Sequence, residues 1–134
     1  MTSPCGSGST AAFSSAVLAL ALGDVNADGV LDIVTLEGSG NLTRRSVSRD
    51  GWSQNVLGRW TAMPAAATPA SARLFIADID NNGALDLLAT ASGGTGVWLA
   101  GAGGALQPYS RTVDAELWSV VDLNADGQLD LVGL

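Results

Sequence analysis

Three copies of one acidic nine-residue loop constrain this chain more than any other feature. They read Asp24-Val25-Asn26-Ala27-Asp28-Gly29-Val30-Leu31-Asp32, Asp78-Ile79-Asp80-Asn81-Asn82-Gly83-Ala84-Leu85-Asp86 and Asp122-Leu123-Asn124-Ala125-Asp126-Gly127-Gln128-Leu129-Asp130. Each has an oxygen-bearing side chain at positions 1, 3, 5 and 9, and Gly at position 6. Hard oxygen ligands at alternating positions, with a glycine for the sharp turn, are what a Ca²⁺ ion requires. One such loop could be a polar turn, but three in a single frame need a common cause. A metal-free turn would also crowd three carboxylates per loop with no cation to offset their repulsion.

The repeat extends past the ligands. Leu20-Ala21-Leu22-Gly23, Leu74-Phe75-Ile76-Ala77 and Trp118-Ser119-Val120-Val121 precede the three loops, and Ile33-Val34, Leu87-Leu88 and Leu131-Val132 follow them. Apolar strand-like runs on both sides make each loop the turn of a β-hairpin. The copies begin 54 and 44 residues apart, a period that suits a propeller or a solenoid.

The pattern of apolar strand, Asp-x-Asp/Asn-x-Asp/Asn-Gly-x-Leu-Asp and apolar strand resembles the FG-GAP and VCBS repeats of integrin-like β-propellers. The core of the resemblance covers about 17 residues at each of three places. It implies an all-β fold in which each repeat is one four-stranded blade and the calcium loop joins the first two strands. It does not imply one function, since such propellers serve in adhesion, as lectins, in lyases and as scaffolds.

Composition agrees with buried strands joined by glycine-rich turns. The 134 residues are 47% hydrophobic with 17 Gly, enough for one small domain with a core. Formal charge is −7, but nine of the 13 acidic residues lie in the three loops. Three bound Ca²⁺ would bring the net to about −1, so the acidity is ligand charge. Six Arg, no Lys and no basic cluster beyond Arg44-Arg45 argue against nucleic acid. No run is long enough to span a membrane.

Cys5 is the one cysteine, which rules out an intrachain disulfide. It lies in a Ser/Gly-rich stretch with the composition of a flexible tail. It is an incidental thiol or an intermolecular partner. Ala16 to Leu22 is apolar but follows no Lys or Arg and aligns with the first repeat strand, so it reads as a strand and not as a signal peptide.

The expected organisation is a tail over 1–13, a first blade over 14–62, a linker over 63–71, a second blade over 72–115 and half of a third blade over 116–134. Expected strands run Ser15–Gly23, Ile33–Glu37, Asn41–Val47 and Ser53–Arg59 in the first blade. Ala72–Ala77, Asp86–Thr90, Val97–Ala100 and Leu106–Thr112 follow in the second, with Leu117–Val121 and Asp130–Leu134 in the third. Pro64 and Pro69 keep the Ala/Pro stretch between blades out of any central strand. Two and a half blades cannot close a ring. The expectation is therefore a partial propeller, completed by further sequence or by self-association through blade edges.

Other features admit plainer readings. Trp52, Trp60, Trp98 and Trp118 could form a platform for sugar rings, or fill space between blades; Trp118 aligns with Leu20 and Leu74, taken as core. Arg44, Arg45 and Arg49 could bind an anionic glycan, or lie on a solvated strand face. Asp50 and Asp114 suit turns, and Asp50-Gly51 is a hairpin signal.

Catalysis finds little support, and none of these residues is assigned a catalytic role. The chain has no His and no Lys, so the commonest general bases and the usual triads are missing. A carboxylate pair for glycoside hydrolysis would have to come from Glu37, Glu116, Asp50, Asp114 or the loops. An EF-hand would need a bidentate acid at position 12, where this chain has Thr35, Ala89 and Gly133. A dockerin resembles the first loop, but its repeats lie closer together and lead into helices.

The expected function is thus a calcium-binding propeller module with a binding or structural role, outside the cell or on its surface. An adhesion partner, a glycan and self-assembly all stay open as what it binds. The alternatives are a fragment of a propeller-type polysaccharide lyase and a lectin assembled from several chains. Three Ca²⁺ sites are expected. The ligands are Asp24, Asn26, Asp28, Asp32 and the Val30 carbonyl; Asp78, Asp80, Asn82, Asp86 and the Ala84 carbonyl; and Asp122, Asn124, Asp126, Asp130 and the Gln128 carbonyl.

Overall fold

The computed structural model describes Phe13, residues 15–111 and residues 113–134. The expected tail, Cys5 included, lies outside the described residues apart from Phe13. Ten strands are present among the described residues: β1 (Val17–Gly23), β2 (Asp32–Glu37), β3 (Asn41–Ser48), β4 (Gly51–Arg59), β5 (Arg73–Ala77), β6 (Asp86–Ala91), β7 (Gly94–Ala100), β8 (Leu106–Pro108), β9 (Leu117–Val121) and β10 (Asp130–Gly133). No helix occurs among the described residues, so none is long and apolar enough to cross a membrane.

The strands form two four-stranded antiparallel meanders, β1-β2-β3-β4 and β5-β6-β7-β8, and a separate hairpin, β9-β10. The three acidic loops close the β1-β2, β5-β6 and β9-β10 turns. The first strands are neighbours in series, β1 beside β5 and β5 beside β9. The two sheets and the hairpin therefore stack face to face, and the acidic loops fall at one end of the stack.

Alternation assigns the faces. Ala19, Ala21, Val34, Leu36 and Leu42 of the first sheet pack on Leu74, Ile76, Leu87, Ala89 and Trp98 of the second. The opposite face of the second sheet offers Phe75, Leu88, Val97 and Leu99 to Leu117 and Val120 of the hairpin. With both faces covered, β6 is buried along its whole length, which is why Asp86-Leu-Leu-Ala-Thr-Ala91 reads as a nearly unbroken apolar run. Leu87 and Leu88 point to opposite sides and are both fully buried, each stabilising the fold by about 1.5–3 kcal/mol.

Two tryptophans lock the seam between the sheets. A side chain at Gly96 of β7 would meet the Trp60 ring, which follows β4, at 3.0 Å. One at Gly58 of β4 would meet the Trp98 ring of β7 at 3.1 Å. Each sheet thus lays an indole over a glycine of the other, and both rings are buried. The hairpin docks differently, through buried hydroxyls. Thr90 Oγ accepts the Leu117 N–H at 2.9 Å, and Thr95 Oγ donates to the Ala115 carbonyl at 2.7 Å.

Several expectations are corrected. The last strand of the second sheet stops at Pro108; beyond it the Tyr109 N–H still donates to the Val97 carbonyl at 2.8 Å, and Val113 forms an isolated bridge with Thr95. Thr112, its expected end, lies outside the described residues. The Ala/Pro connection forms no strand, in line with its prolines; its turns are closed by Ala67 N–H to the Pro64 carbonyl and Ala72 N–H to the Thr68 carbonyl, and Met63 and Ala67 pack on the core.

Leu20 and Trp118 are not core like Leu74. Leu20 is 60% exposed because no sheet covers its side of β1. Trp118 is the extra residue of a β-bulge, since Ser119 pairs with Val132 and Leu117 with Gly133, and the bulge turns it to solvent. Trp52 is exposed as well, so only Trp60 and Trp98 fill space between sheets. Arg45 is not on a solvated face. It is buried, pairs with Glu37 at 3.6 Å and lies 3.9 Å from the Phe13 ring centre.

Candidate metal centre

The three loops share one hydrogen-bond frame, set by the position-1 aspartate. One oxygen of Asp24 accepts the N–H of Asp28 at 3.0 Å and the other accepts that of Gly29 at 2.8 Å. Asp78 does the same for Asn82 and Gly83 at 3.0 and 2.8 Å, and Asp122 for Asp126 and Gly127 at 3.2 and 2.9 Å. The position-3 oxygen shares the position-5 N–H: Asn26 at 3.3 Å, Asp80 at 3.2 Å and Asn124 at 3.1 Å. The position-5 side chain then accepts the N–H of Val30, Ala84 or Gln128, at 2.8 Å in each loop.

This wrapping needs two left-handed residues. Gly29, Gly83 and Gly127 have φ of 84°, 90° and 86°, as the position-6 glycine implies. The residue at position 4 is left-handed too, with φ of 57° at Ala27, 62° at Asn81 and 60° at Ala125. Nothing in the residue type signals this at the two alanines, and only Asn81 is of a type that tolerates this region.

Position 9 is the anchor. Asp32, Asp86 and Asp130 reach back to the N–H of Val25, Ile79 and Leu123 at 3.2, 2.8 and 3.0 Å. In the two full sheets the third strand fixes the other oxygen: Ser46 Oγ donates to Asp32, and Ala100 N–H to Asp86 at 2.7 Å. Asp32 and Asp86 are fully buried. The ion pairs among the described residues are Arg45 with Glu37 and Arg73 with Glu116, so neither buried aspartate has an arginine against it. A buried carboxylate without a cation is costly, and a metal ion would supply one.

The carboxylates gather most closely in the middle loop. Oxygens of Asp78, Asp80 and Asp86 lie within 4.8 Å of one another, and this cluster can hold a metal ion. Oxygens on neighbouring positions around one Ca²⁺, each at about 2.3–2.6 Å, fall within that span. The outer loops have a neutral amide at position 3, where the middle loop has Asp80. There Asn26 and Asn124 donate to the position-5 carboxylate, at 2.8 Å to Asp28 and 3.0 Å to Asp126. In the middle loop the amide is at position 5 instead. Asn82 donates to Asp80 at 3.2 Å and to the Ala100 carbonyl at 2.8 Å.

These contacts tune one acid. The Asn26 amide, then the Val30 N–H and the nearby Arg44, hold the exposed Asp28 carboxyl below the ordinary carboxylate range. Every position-1, -3, -5, -7 and -9 residue expected as a ligand falls in one of the three loops. Sequence reasoning missed Ser46, whose hydroxyl orients Asp32 from β3, and Asn81, which reaches the third loop. Nothing in the pattern around Ser46 announces it. The first two loops and the Gly101–Gly104 turn also line a groove of about 450 Å³.

No family model, curated protein or solved structure matches this chain.

Proposed function

We propose that this chain is a calcium-binding repeat module built from β-propeller blades, with a non-catalytic role in recognising a protein or glycan, or as a scaffold, outside the cell. The observation that carries the reading is the hydrogen-bond frame common to the three loops, together with buried aspartates that no arginine neutralises. The serial stacking of the sheets through their first strands supports the blade arrangement. In each loop the side chains at positions 1, 3, 5 and 9 and the position-7 carbonyl hold the ion, and water completes its shell. Extracellular modules of this kind bind Ca²⁺ at roughly 10⁻⁴ to 10⁻³ M, so they fill outside the cell and stay empty in cytosol. At calcium about ten times the dissociation constant, each site adds about 1.4 kcal/mol of stability.

Calorimetric titration with Ca²⁺, paired with thermal unfolding in calcium and in chelator, tests this reading. The expected result is three equivalents bound and a higher Tm in calcium. Unfolding indifferent to both additions would leave the loops as turns only.

A further inference from the structure

The two full sheets and the hairpin begin alike and continue differently. In the first sheet β3 lies along the free side of β2, and in the second β7 lies along that of β6. Each of these third strands supplies a donor to the position-9 aspartate: Ser46 Oγ to Asp32, and Ala100 N–H to Asp86 at 2.7 Å. Among the described residues β10 pairs with β9 alone, so its other edge carries backbone groups without a ladder. Asp130 accepts the Leu123 N–H through one oxygen, and no described residue donates to the other.

A pocket opens beside that edge. Val97, Leu99, Tyr109, Val113 and Leu131, with Ile79 and Asp80 from the second loop, line a space of about 290 Å³. Leu131 follows the position-9 aspartate as Leu87 does in β6. Leu87 is fully buried, and Trp98 is its partner on β7. Leu131 is 41% exposed. Residues directly opposite in an antiparallel pair share a face. A side chain opposite Leu131 on a third strand therefore enters the pocket, as Trp98 enters the seam between the two sheets.

The pocket suits a smaller guest than an indole. The Trp98 ring lies over Gly58, which pairs with Leu42. Val113 holds the same register in the second sheet, through its bridge to Thr95. Its branched side chain fills room that Gly58 leaves free, so a leucine or a phenylalanine fits best. The strands that hold this place within the chain, β3 and β7, are paired along both edges, so a second copy has none to lend.

We propose that the open edge of β10 and this pocket form one docking site for an extended segment of a partner protein. The segment lies antiparallel to β10, places a leucine- or phenylalanine-sized side chain opposite Leu131 and turns an N–H or hydroxyl toward Asp130. Main-chain bonds along the edge supply affinity, and the pocket supplies selectivity. The site gives a surface to the protein recognition proposed above, but it rests on strand packing and not on the metal.

NMR titration of the full chain, in calcium and in chelator, tests it. The probe is a peptide of sequence Gly94–Ala100 carrying Trp98→Leu. The amides of residues 131–133, the methyls of Val97, Leu99, Val113 and Leu131, and the Asp130 carboxyl should shift in both buffers. The same peptide with Trp98→Asp should bind about tenfold more weakly or worse, since an unpaired charge is costly to bury. Leu131→Asp in the chain should weaken binding of the leucine peptide as much. That position is exposed, a thermal melt confirms folding, and Leu131→Ser serves if the charge variant unfolds. Val113→Ala should turn the preference toward the unchanged tryptophan peptide, and an unchanged preference would overturn the size assignment. Shifts confined to other residues, equal binding of the leucine and aspartate peptides, or no binding up to the solubility limit would overturn the proposal. So would a wild-type dimer that Leu131→Asp dissociates, because a second copy would then occupy the edge.

Discussion

The side-chain amide of Asn81 donates to the carbonyl of Gly127 at 3.3 Å, tying the second acidic loop to the third. The first loop has Ala27 at the same position and no such donor. Asn81→Gly keeps a residue suited to φ of 62° and deletes the bond. It should cost about 0.5–1.5 kcal/mol in chemical denaturation. It should also uncouple calcium binding at the second and third loops, which calorimetry reads directly.

Ala27 and Ala125 carry backbone strain that asparagine tolerates better. The left-handed region costs an ordinary L-residue about 1–2 kcal/mol. Ala27→Asn and Ala125→Asn should each recover part of this, about 0.5–1 kcal/mol, and raise Tm. Unchanged or lowered melting for both would mean that the position-4 geometry is not strained.

Asp86 separates a structural role from a metal role. Asp86→Ala strands the N–H groups of Ile79 and Ala100 and should destabilise by about 2–4 kcal/mol even in chelator. Asp86→Asn keeps the size and one acceptor, so its loss in chelator should be smaller. Its calcium-dependent gain in Tm should fall by one site. Equal gains for wild type and Asp86→Asn would remove Asp86 from the ligand set.

The hydroxyl of Thr90 serves the hairpin rather than the loops. Thr90→Val preserves shape and leaves the buried Leu117 N–H without its acceptor, at a cost of about 1–3 kcal/mol. Hydrogen exchange should show the β9-β10 amides losing protection before those of the first sheet.

Asp28 should titrate below the ordinary aspartate value of about 3.9. Because its folded pKa is depressed, its stabilising contribution is complete above that ordinary value. The contribution fades as pH falls through the lower folded one. Carboxyl NMR in metal-free buffer should show the low midpoint in wild type, and Asn26→Ala should move it back up.

The hairpin strands were legible because apolar runs flank every acidic loop, and period and glycine placement fixed where the chain turns. What stayed hidden depends on neighbours in space. Leu20, Leu74 and Trp118 share one repeat position, yet only Leu74 is buried, because no sheet lies over Leu20 and a β-bulge turns Trp118 out of the seam. Arg45 and Glu37 look like surface charges in sequence. β2 and β3 bring them to the same side of the sheet, where the Phe13 ring lies over Arg45 and the Ser15 hydroxyl donates to Glu37. The loop ligands were legible as a pattern, but the third strand that orients Asp32 and Asp86 is 14 residues away in each case.

The reciprocal placement of Trp60 and Trp98 over Gly96 and Gly58 gives the molecule an optical reporter at one seam. Trp52 and Trp118 already face water, so their emission changes little when the structure loosens. Parting the first two sheets wets both seam indoles together. A red shift in fluorescence on heating or denaturant therefore reports chiefly the opening of that one boundary, while detachment of the hairpin, which carries the half-exposed Trp118, shifts the colour less.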